Sequence, residues 1–168
     1  MKVILYMATS LDGFVAKTGG DSSWVSDVDI PIFEQKIKES GCIILGHNTF
    51  KQFYGEFYPV KNVTNIVVTT SLENKNEDNV IYAESPEEAV EIAKSKNFDQ
   101  VLLVGGGNTN GSFLKSSLVD EIFVDVHPFV FGVGIKLFGN FEGDIKLELL
   151  ESRNLDKGQI LLHYKVIK

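Results

Sequence analysis

The sequence contains a single cysteine and no apolar run long enough to cross a membrane as a helix. One cysteine excludes an intramolecular disulfide, which favours a reducing compartment. The first residues, MKVILYMATSLDG, lack the long apolar core and the small-residue cleavage site of a secretion signal. From these absences we expect a cytoplasmic protein that does not associate with membranes.

Positive charge is also scarce, because 16 basic residues stand against 23 acidic ones and give a net charge of −7. Such a chain is not attracted to nucleic acid or to an anionic membrane surface, so neither is an expected partner. The sequence has no group of histidine, cysteine and carboxylate residues with the spacing of metal ligands, and we expect no bound metal. It has no nucleophile elbow either.

Apolar sequence, by contrast, is plentiful at 43% of the residues, enough for one core and a single domain over residues 1–168. Strand-like and helical segments alternate through most of the chain, and two strand-like segments follow. This order predicts an α/β fold with a mainly parallel central sheet and an antiparallel C-terminal hairpin. Strands are predicted at residues 2–8, 42–45, 62–70, 80–83, from 101, 121–130, 145–151 and 159–167. Helices are predicted at about 27–40, after 46, from 85 and after 107, and a solvated loop at 71–79.

The most informative stretch is VLLVGGGNTNGSFLKSSL, which begins at Val101. Its aliphatic run stops at three glycines and leads into a helix, so the first N–H groups of that helix point at any ligand beside the turn. Glycine lets a ligand approach the main chain, and the hydroxyl of Thr109 lies close by in the sequence. The pattern fits an anion-binding turn and, equally, a simple tight turn.

Two other strands end in similar polar turns. One is followed by Gly46-His47-Asn48-Thr49, and the other ends in three hydroxyl residues, Thr69, Thr70 and Ser71. Ligands of parallel sheets bind outside the carboxyl ends of the strands, where all three turns are expected to lie. Their agreement favours a binding site over three unrelated turns.

These residues also carry a resemblance to a known family. The chain resembles the dihydrofolate reductase fold family, a three-layer sandwich, and within it the branch that contains the reductase domain of riboflavin biosynthesis and small stand-alone relatives. The markers are SLDG from Ser10, SSW from Ser22, Gly-x-x-Thr-Phe from Gly46, VGGG from Val104, and LVDEI with PFVFGVGIKLF downstream.

The resemblance implies a reductase that uses NADPH. It implies a cis peptide in the glycine pair and a phosphate site at Gly105, Gly106, Gly107, Asn108 and Thr109. It further assigns the pyrophosphate and adenosine side to Gly46, His47, Asn48 and Thr49, the 2′-phosphate to Thr69, Thr70 and Ser71, and the nicotinamide lining to Met7, Ala8, Leu11 and Val15.

The chain departs from the family pattern at two places. His47 stands where folate reductases commonly carry an arginine, and histidine is only partly cationic near neutral pH, so NADH is not excluded; Lys51 could compensate. Near the first helix, where the riboflavin-pathway enzymes have arginines, this chain has Glu34 and Gln35. At the glycine turn, where those enzymes have a glutamate, it has Gly105. A phosphoribosyl substrate is therefore not expected.

Asp29 is the predicted catalytic residue, because Asp29 and Phe33 match the acid and the phenylalanine of folate reductases and lie one helical turn apart. The alternative is that Asp29 only begins a helix, since Pro31 follows it closely. Further candidates on the substrate side are Asp12, which also suits a turn, and Ser22 and Trp24, of which the tryptophan also suits packing. We expect His127 and His163 in the core or at an interface.

The resulting prediction is a reductase that transfers a hydride to a small heterocycle, similar to a pterin or an aminopyrimidine. The alternative is a non-catalytic nucleotide-binding or assembly module with the same fold. The family likeness and the apolar late strands predict a homodimer.

Overall fold

The computed structural model describes residues 1–71 and 78–168. Within them, eight strands form one sheet in the order β5-β4-β3-β6-β1-β7-β10-β9, and β2 and β8 form a small separate pair. The strands are β1 Lys2–Ser10, β2 Phe14–Ala16, β3 Cys42–Gly46, β4 Thr64–Val68, β5 Val80–Ala83, β6 Gln100–Leu103, β7 Glu121–His127, β8 Ile135–Lys136, β9 Lys146–Asn154 and β10 Ile160–Ile167. The helices are α1 Asp29–Ser40, α2 His47–Gln52, α3 Pro86–Ser95 and α4 Gly107–Lys115, with a short 3-10 turn at Asp156–Gly158.

The sheet is parallel from β5 to β7 and antiparallel at β10 and β9. Helices cover both faces of the sheet. Successive residues of a buried strand point to opposite faces, so each central strand contributes side chains to the core on either side. Val3 and Leu5 of β1 pack in the cluster that includes α3 and α4, whereas Ile4 and Tyr6 pack in the cluster that includes α1 and α2. The predicted α/β sheet with a C-terminal hairpin is confirmed.

Two helix boundaries have clear local causes. α3 begins after Ser85, whose Oγ accepts a hydrogen bond from the backbone N–H of Glu88 at 3.1 Å, with Pro86 in the first turn. The carboxylate of Glu88 in turn accepts from the N–H of Glu84 at 2.6 Å, one residue before the position in a regular capping box. α1 ends at Gly41, which adopts a left-handed conformation with φ 63°.

Some predicted boundaries are wrong. α1 begins at Asp29 and not at residue 27, so Asp29 occupies the first turn and Pro31 follows within it, where its missing N–H has no helical partner. The β2 and β8 pair was not expected, since the short FVA segment lies in a Gly- and Ser-rich stretch. Most of the predicted loop at 71–79 lies outside the described residues.

Candidate functional site

A cleft of about 430 Å³ opens at the carboxyl ends of β1 and β6, between α1, α2 and the β2–β8 pair. Its walls are mainly apolar, and the polar groups that reach it are few. This composition is typical of a site for a small organic ligand. The lining residues that matter below are Tyr6, Met7, Ala8, Val15, Ser22, Asp29, Phe33, Thr49, Phe57 and Gly106.

The triple glycine lies at one side of this cleft. The peptide between Gly105 and Gly106 is cis, as the family resemblance implied. Gly106 is the N-cap of α4, without a side-chain cap. Among residues 1–71 and 78–168, no acceptor is found for the first N–H groups of α4, those of Gly107, Asn108 and Thr109. These amides remain available to an external anion.

The tight space around these glycines explains why no side chain is present. A Cβ at Gly107 would overlap the backbone oxygen of Lys136, and a Cβ at Gly106 would lie 2.8 Å from Oγ1 of Thr49. A Cβ at Gly46 would overlap Oγ1 of Thr109. The two threonine hydroxyls therefore each press against the opposite glycine turn.

The second turn, at Gly46, is joined directly to the first. The N–H of Gly46 donates to the carbonyl of Gly105 at 2.7 Å, because β3 and β6 are neighbours in the sheet and end at the same edge. Asn48 and Asn108, the second residues of α2 and α4, are both exposed. The sequence predicted that both turns lie at this edge of the sheet, and in the structure they form the two walls of one groove.

The third predicted turn, after β4, lies next to His47. Nδ1 of His47 is 3.3 Å from Oγ1 of Thr69, and the His47 ring meets Tyr82 edge-on. Burial, and next the charge of Lys51, lower the pKa of His47 below its ordinary value. Thr70 and Ser71 are exposed. The group at position 47 is therefore a neutral ring at neutral pH.

Asp29 lies at the floor of the cleft, where it is 5% exposed. The hydroxyl of Tyr6 donates to Oδ1 of Asp29 at 2.6 Å. Burial and then the charge of Asp29 raise the pKa of Tyr6 far above its ordinary value, so the hydroxyl stays a donor. Phe33 stacks on Tyr6, with ring centroids 5.5 Å apart, and on Phe57 at 5.9 Å. A carboxylate is thus presented beside a stack of aromatic rings.

A second carboxyl group, which the sequence did not single out, lies behind Asp29. Asp125 on β7 is 0% exposed, and burial, followed by the negative charge of Asp29, raises its pKa to about 7. It was missed because one acidic residue on an alternating strand looks like a solvent-facing position. Its register opposite Ala8 of β1 turns it instead toward the α1 side of the sheet, the side of Tyr6.

Two predicted substrate residues do not reach the cleft. Asp12 accepts a hydrogen bond from Ser10 Oγ at 2.6 Å and from the N–H of Gly132 at 2.7 Å, so its carboxylate is used to tie two loops together. The Trp24 ring packs against His127 and Phe131, with centroids 5.1 Å and 5.2 Å away. For both, the contacts favour the structural role that was the alternative in the sequence.

The other predicted residues are distributed as follows. Ser22, Asp29 and Phe33 line the cleft, as do Met7, Ala8 and Val15, whereas Leu11 is 70% exposed outside it. His127 is 1% exposed, and His163 is half-buried beside Glu121, 2.9 Å from its carboxylate.

The structure contains no group of three or more metal-ligating side chains in residues 1–71 and 78–168. In the same part of the chain, no helix is long and apolar enough to cross a membrane.

A mainly parallel sheet, helices on both faces and a ligand-sized cleft at the carboxyl ends define the dihydrofolate reductase-like fold. Residues 1–161 match the family described as the RibD C-terminal domain, and the chain belongs to that family. The resemblance inferred from the sequence motifs is therefore confirmed.

Similar proteins agree with this family. The uncharacterized protein YwjB of Bacillus subtilis (strain 168) is 27% identical over 172 residues, which cover 97% of each chain. The dihydrofolate reductase of Candida albicans is 26% identical over 97 residues, 57% of this chain and 50% of that enzyme. The crystal structure of a putative riboflavin biosynthesis protein from Shewanella sp. PV-4 superposes with a TM-score of 0.82 over 100% of both chains, at 22% identity.

Proposed function

We propose that the protein is a reductase that transfers a hydride from NADPH to a small heterocyclic substrate, similar to a pterin or an aminopyrimidine. The observation that carries this proposal is the position of Asp29, a buried carboxylate held by Tyr6 at the floor of a largely apolar cleft that also contains Gly106. Membership of the RibD C-terminal domain family and the partial likeness to a dihydrofolate reductase support the same reaction class.

The groove between the two glycine turns fits a dinucleotide cofactor. The free amides of Gly107, Asn108 and Thr109 suit a diphosphate, and Gly106 lines the cleft beside them. On the other wall we assign Gly46, His47, Asn48 and Thr49 to the pyrophosphate and adenosine side, and Thr69, Thr70 and Ser71 to the 2′-phosphate. Ala8, together with Met7 and Val15, lies where the nicotinamide would rest in the cleft.

The substrate side of the cleft favours a flat heterocycle. The rings of Phe33 and Phe57, packed in a stack over the buried Tyr6, provide an aromatic wall, and the Asp29 carboxylate provides an acceptor for a ring N–H or an amino group. Ser22 adds a hydroxyl at the rim. Asp12 and Trp24 support this site from outside through the loop contacts described above.

The bound cofactor would supply the hydride, and the protein would hold and protect the reacting groups. Asp29 orients the heterocycle and offers a proton route to a ring nitrogen. Tyr6 fixes the carboxylate through its 2.6 Å hydrogen bond. Val15, from β2, adds an apolar side chain to the wall of the cleft.

The test is to measure cofactor binding by titration calorimetry and then NADPH oxidation with dihydrofolate and a panel of pterins and aminopyrimidines. We expect binding of NADPH, oxidation with at least one heterocycle, and loss of turnover but not of cofactor binding in Asp29→Asn. Asp144→Asn is the matched control, because Asp144 is exposed and far from β1 in sequence. Absence of NADPH and NADH binding would refute the proposal.

The competing function is a non-catalytic nucleotide-binding or assembly module. It would share the glycine groove but would not need a buried acid beside the cleft. Binding of NADPH without turnover across the whole panel, and with the same affinity in Asp29→Asn, would favour the module.

We also propose a homodimer in the cytoplasm. β9 is the edge strand on the antiparallel side of the sheet, and all of its residues are exposed, including Leu147, Leu149 and Leu150 at 38%, 54% and 46%. An exposed apolar edge strand is an unfavourable feature for an isolated monomer. Light scattering after gel filtration should give twice the mass of one chain, and Leu149→Lys should shift it to a monomer; a monomeric wild type would contradict this.

A further inference from the structure

We propose that Asp125 and Asp29 form a buried carboxyl pair that holds a proton at neutral pH, and that Asp125 is the reserve from which this proton reaches the cleft through Asp29. Asp125 is a positioning residue, because it does not line the cleft itself. The role in proton supply rests on the proposed function, but the sharing of a proton by the two carboxyl groups can be observed without any turnover.

The first support is that Asp125 is buried without a hydrogen-bond donor. Within residues 1–71 and 78–168, no N–H or O–H group donates to either of its side-chain oxygens, although the residue is 0% exposed. An ionised carboxylate in such a place would carry a large desolvation cost. A protonated carboxyl group does not.

The second support is that the nearest histidine cannot act as a counter-ion in this arrangement. Nε2 of His127 accepts the backbone N–H of Ser26 at 3.2 Å, so that nitrogen carries no proton. The ring proton is therefore on Nδ1, 3.2 Å from the backbone oxygen of Asp125 and 3.8 Å from its Oδ1. A neutral His127 leaves the Asp125 carboxyl without a compensating positive charge.

The other charged groups on this side of the sheet do not supply that positive charge either. Arg153 shares a cross-strand row with Leu161 and Asp125 but is exposed, and within residues 1–71 and 78–168 no hydrogen bond joins its side chain to Asp125. Nζ of Lys36, from α1, lies 4.4 Å from the ring centroid of Phe123. His163, from β10, is paired with Glu121.

Asp29 completes the pair from α1. Tyr6 stands two residues before Ala8, the partner of Asp125 in the sheet, so it projects from the same face as Asp125. Its hydroxyl donates to one oxygen of Asp29 at 2.6 Å, which brings Asp29 to the same side of the sheet as Asp125. Two neighbouring carboxyl groups in a dry site do not both ionise, because like charges repel strongly there. Burial and then the charge of Asp29 accordingly raise the pKa of Asp125 to about 7.

In the proposed reaction, the C=N bond of the heterocycle gains a hydride at carbon and a proton at nitrogen. Bound NADPH would supply the hydride and would become NADP⁺. The single proton of the pair moves from Asp125 to Asp29 and from Asp29 to the ring nitrogen. The pair is left with two carboxylate charges and recovers one proton from water, and their repulsion favours that recovery.

The experiment is ¹³C NMR of the whole protein labelled at the aspartate carboxyl carbons, titrated with pH. We expect a wild-type carboxyl signal with a midpoint near 7, absent in Asp125→Asn and unchanged in the control Asp144→Asn. In Asp29→Asn the midpoint should fall by roughly 1 pH unit or more, because the neighbouring charge is gone. Titration of all aspartates below about pH 5, or a neutral titration that persists in Asp125→Asn, would overturn the pair.

A second readout tests the proton supply. Asp125→Asn should bind NADPH with wild-type affinity, lose about tenfold or more in kcat, and lose the fall of kcat on the alkaline side of neutrality. Wild-type kcat and pH profile in this variant would refute the supply role. Failure of the proposed function is distinguishable, because a protein that never oxidises NADPH would still show the neutral titration.

Discussion

The replacement Asp125→Asn should change how the stability of the protein depends on pH. The pKa of Asp125 is raised from 3.8 to about 7, and each tenfold change in proton affinity corresponds to about 1.4 kcal/mol. The folded state thus binds this proton more tightly than the unfolded chain by up to about 4 kcal/mol. Asparagine has a similar shape but no such proton.

The sign follows from the raised pKa. The stabilisation by the bound proton is fully present below about pH 4, falls as the pH rises toward 7, and is absent above that range. The wild type should therefore lose up to about 4 kcal/mol of unfolding free energy relative to Asp125→Asn between these limits. At about pH 8 the variant should be the more stable protein, because it no longer buries an unpaired carboxylate.

Urea unfolding followed by circular dichroism, at constant ionic strength from about pH 4 to about pH 9, measures this difference. Asp144→Asn is again the control, and its profile should follow the wild type. Parallel pH profiles for the wild type and Asp125→Asn would show that Asp125 is ionised as easily in the folded state as in the unfolded one, and the carboxyl pair would have to be abandoned.

Three further changes test the rest of the site. Tyr6→Phe removes the 2.6 Å hydrogen bond to Asp29 and should lower the unfolding free energy at neutral pH by about 1.5 to 3 kcal/mol, as measured in urea; an unchanged value would mean that Asp29 needs no donor. Gly107→Ala places a Cβ against the backbone oxygen of Lys136 and should cost about 1 to 3 kcal/mol and weaken NADPH binding in calorimetry, whereas undiminished binding would argue against the glycine groove. His47→Arg replaces a neutral ring by a permanent cation and should improve the ratio of NADPH to NADH affinity about tenfold or more; an equal ratio would remove position 47 from the 2′-phosphate site.

The sequence was sufficient for the features that depend on local patterns. The aliphatic run before Gly105 and the capping signal at Ser85 predict a strand and a helix that the structure contains. Buried strands of a parallel sheet are recognisable because both faces are apolar. The order of strands and helices then gives the fold class, and the family motifs give the fold.

The parts that were missed depend on contacts between distant segments. Asp125 becomes a site residue only because β7 pairs in parallel with β1 and places it opposite Ala8. Asp12 and Trp24 were substrate candidates that also suited a turn and packing, and only the positions of Gly132 and Phe131 show which groups they contact. No periodicity within a single segment contains this information.

The position of β1 has a consequence for how the chain folds during synthesis. β1 is made before the other nine strands described above but lies in the centre of the sheet, and its neighbours are β6 and β7, with Lys2 opposite Gln100 and Ile4 opposite Glu121. β6 begins only at Gln100 and β7 at Glu121, so both edges of β1 stay unpaired while the intervening segment is made. Such long-range pairing slows folding and prolongs exposure to aggregation, so β1 is the segment for which a chaperone would be of most use.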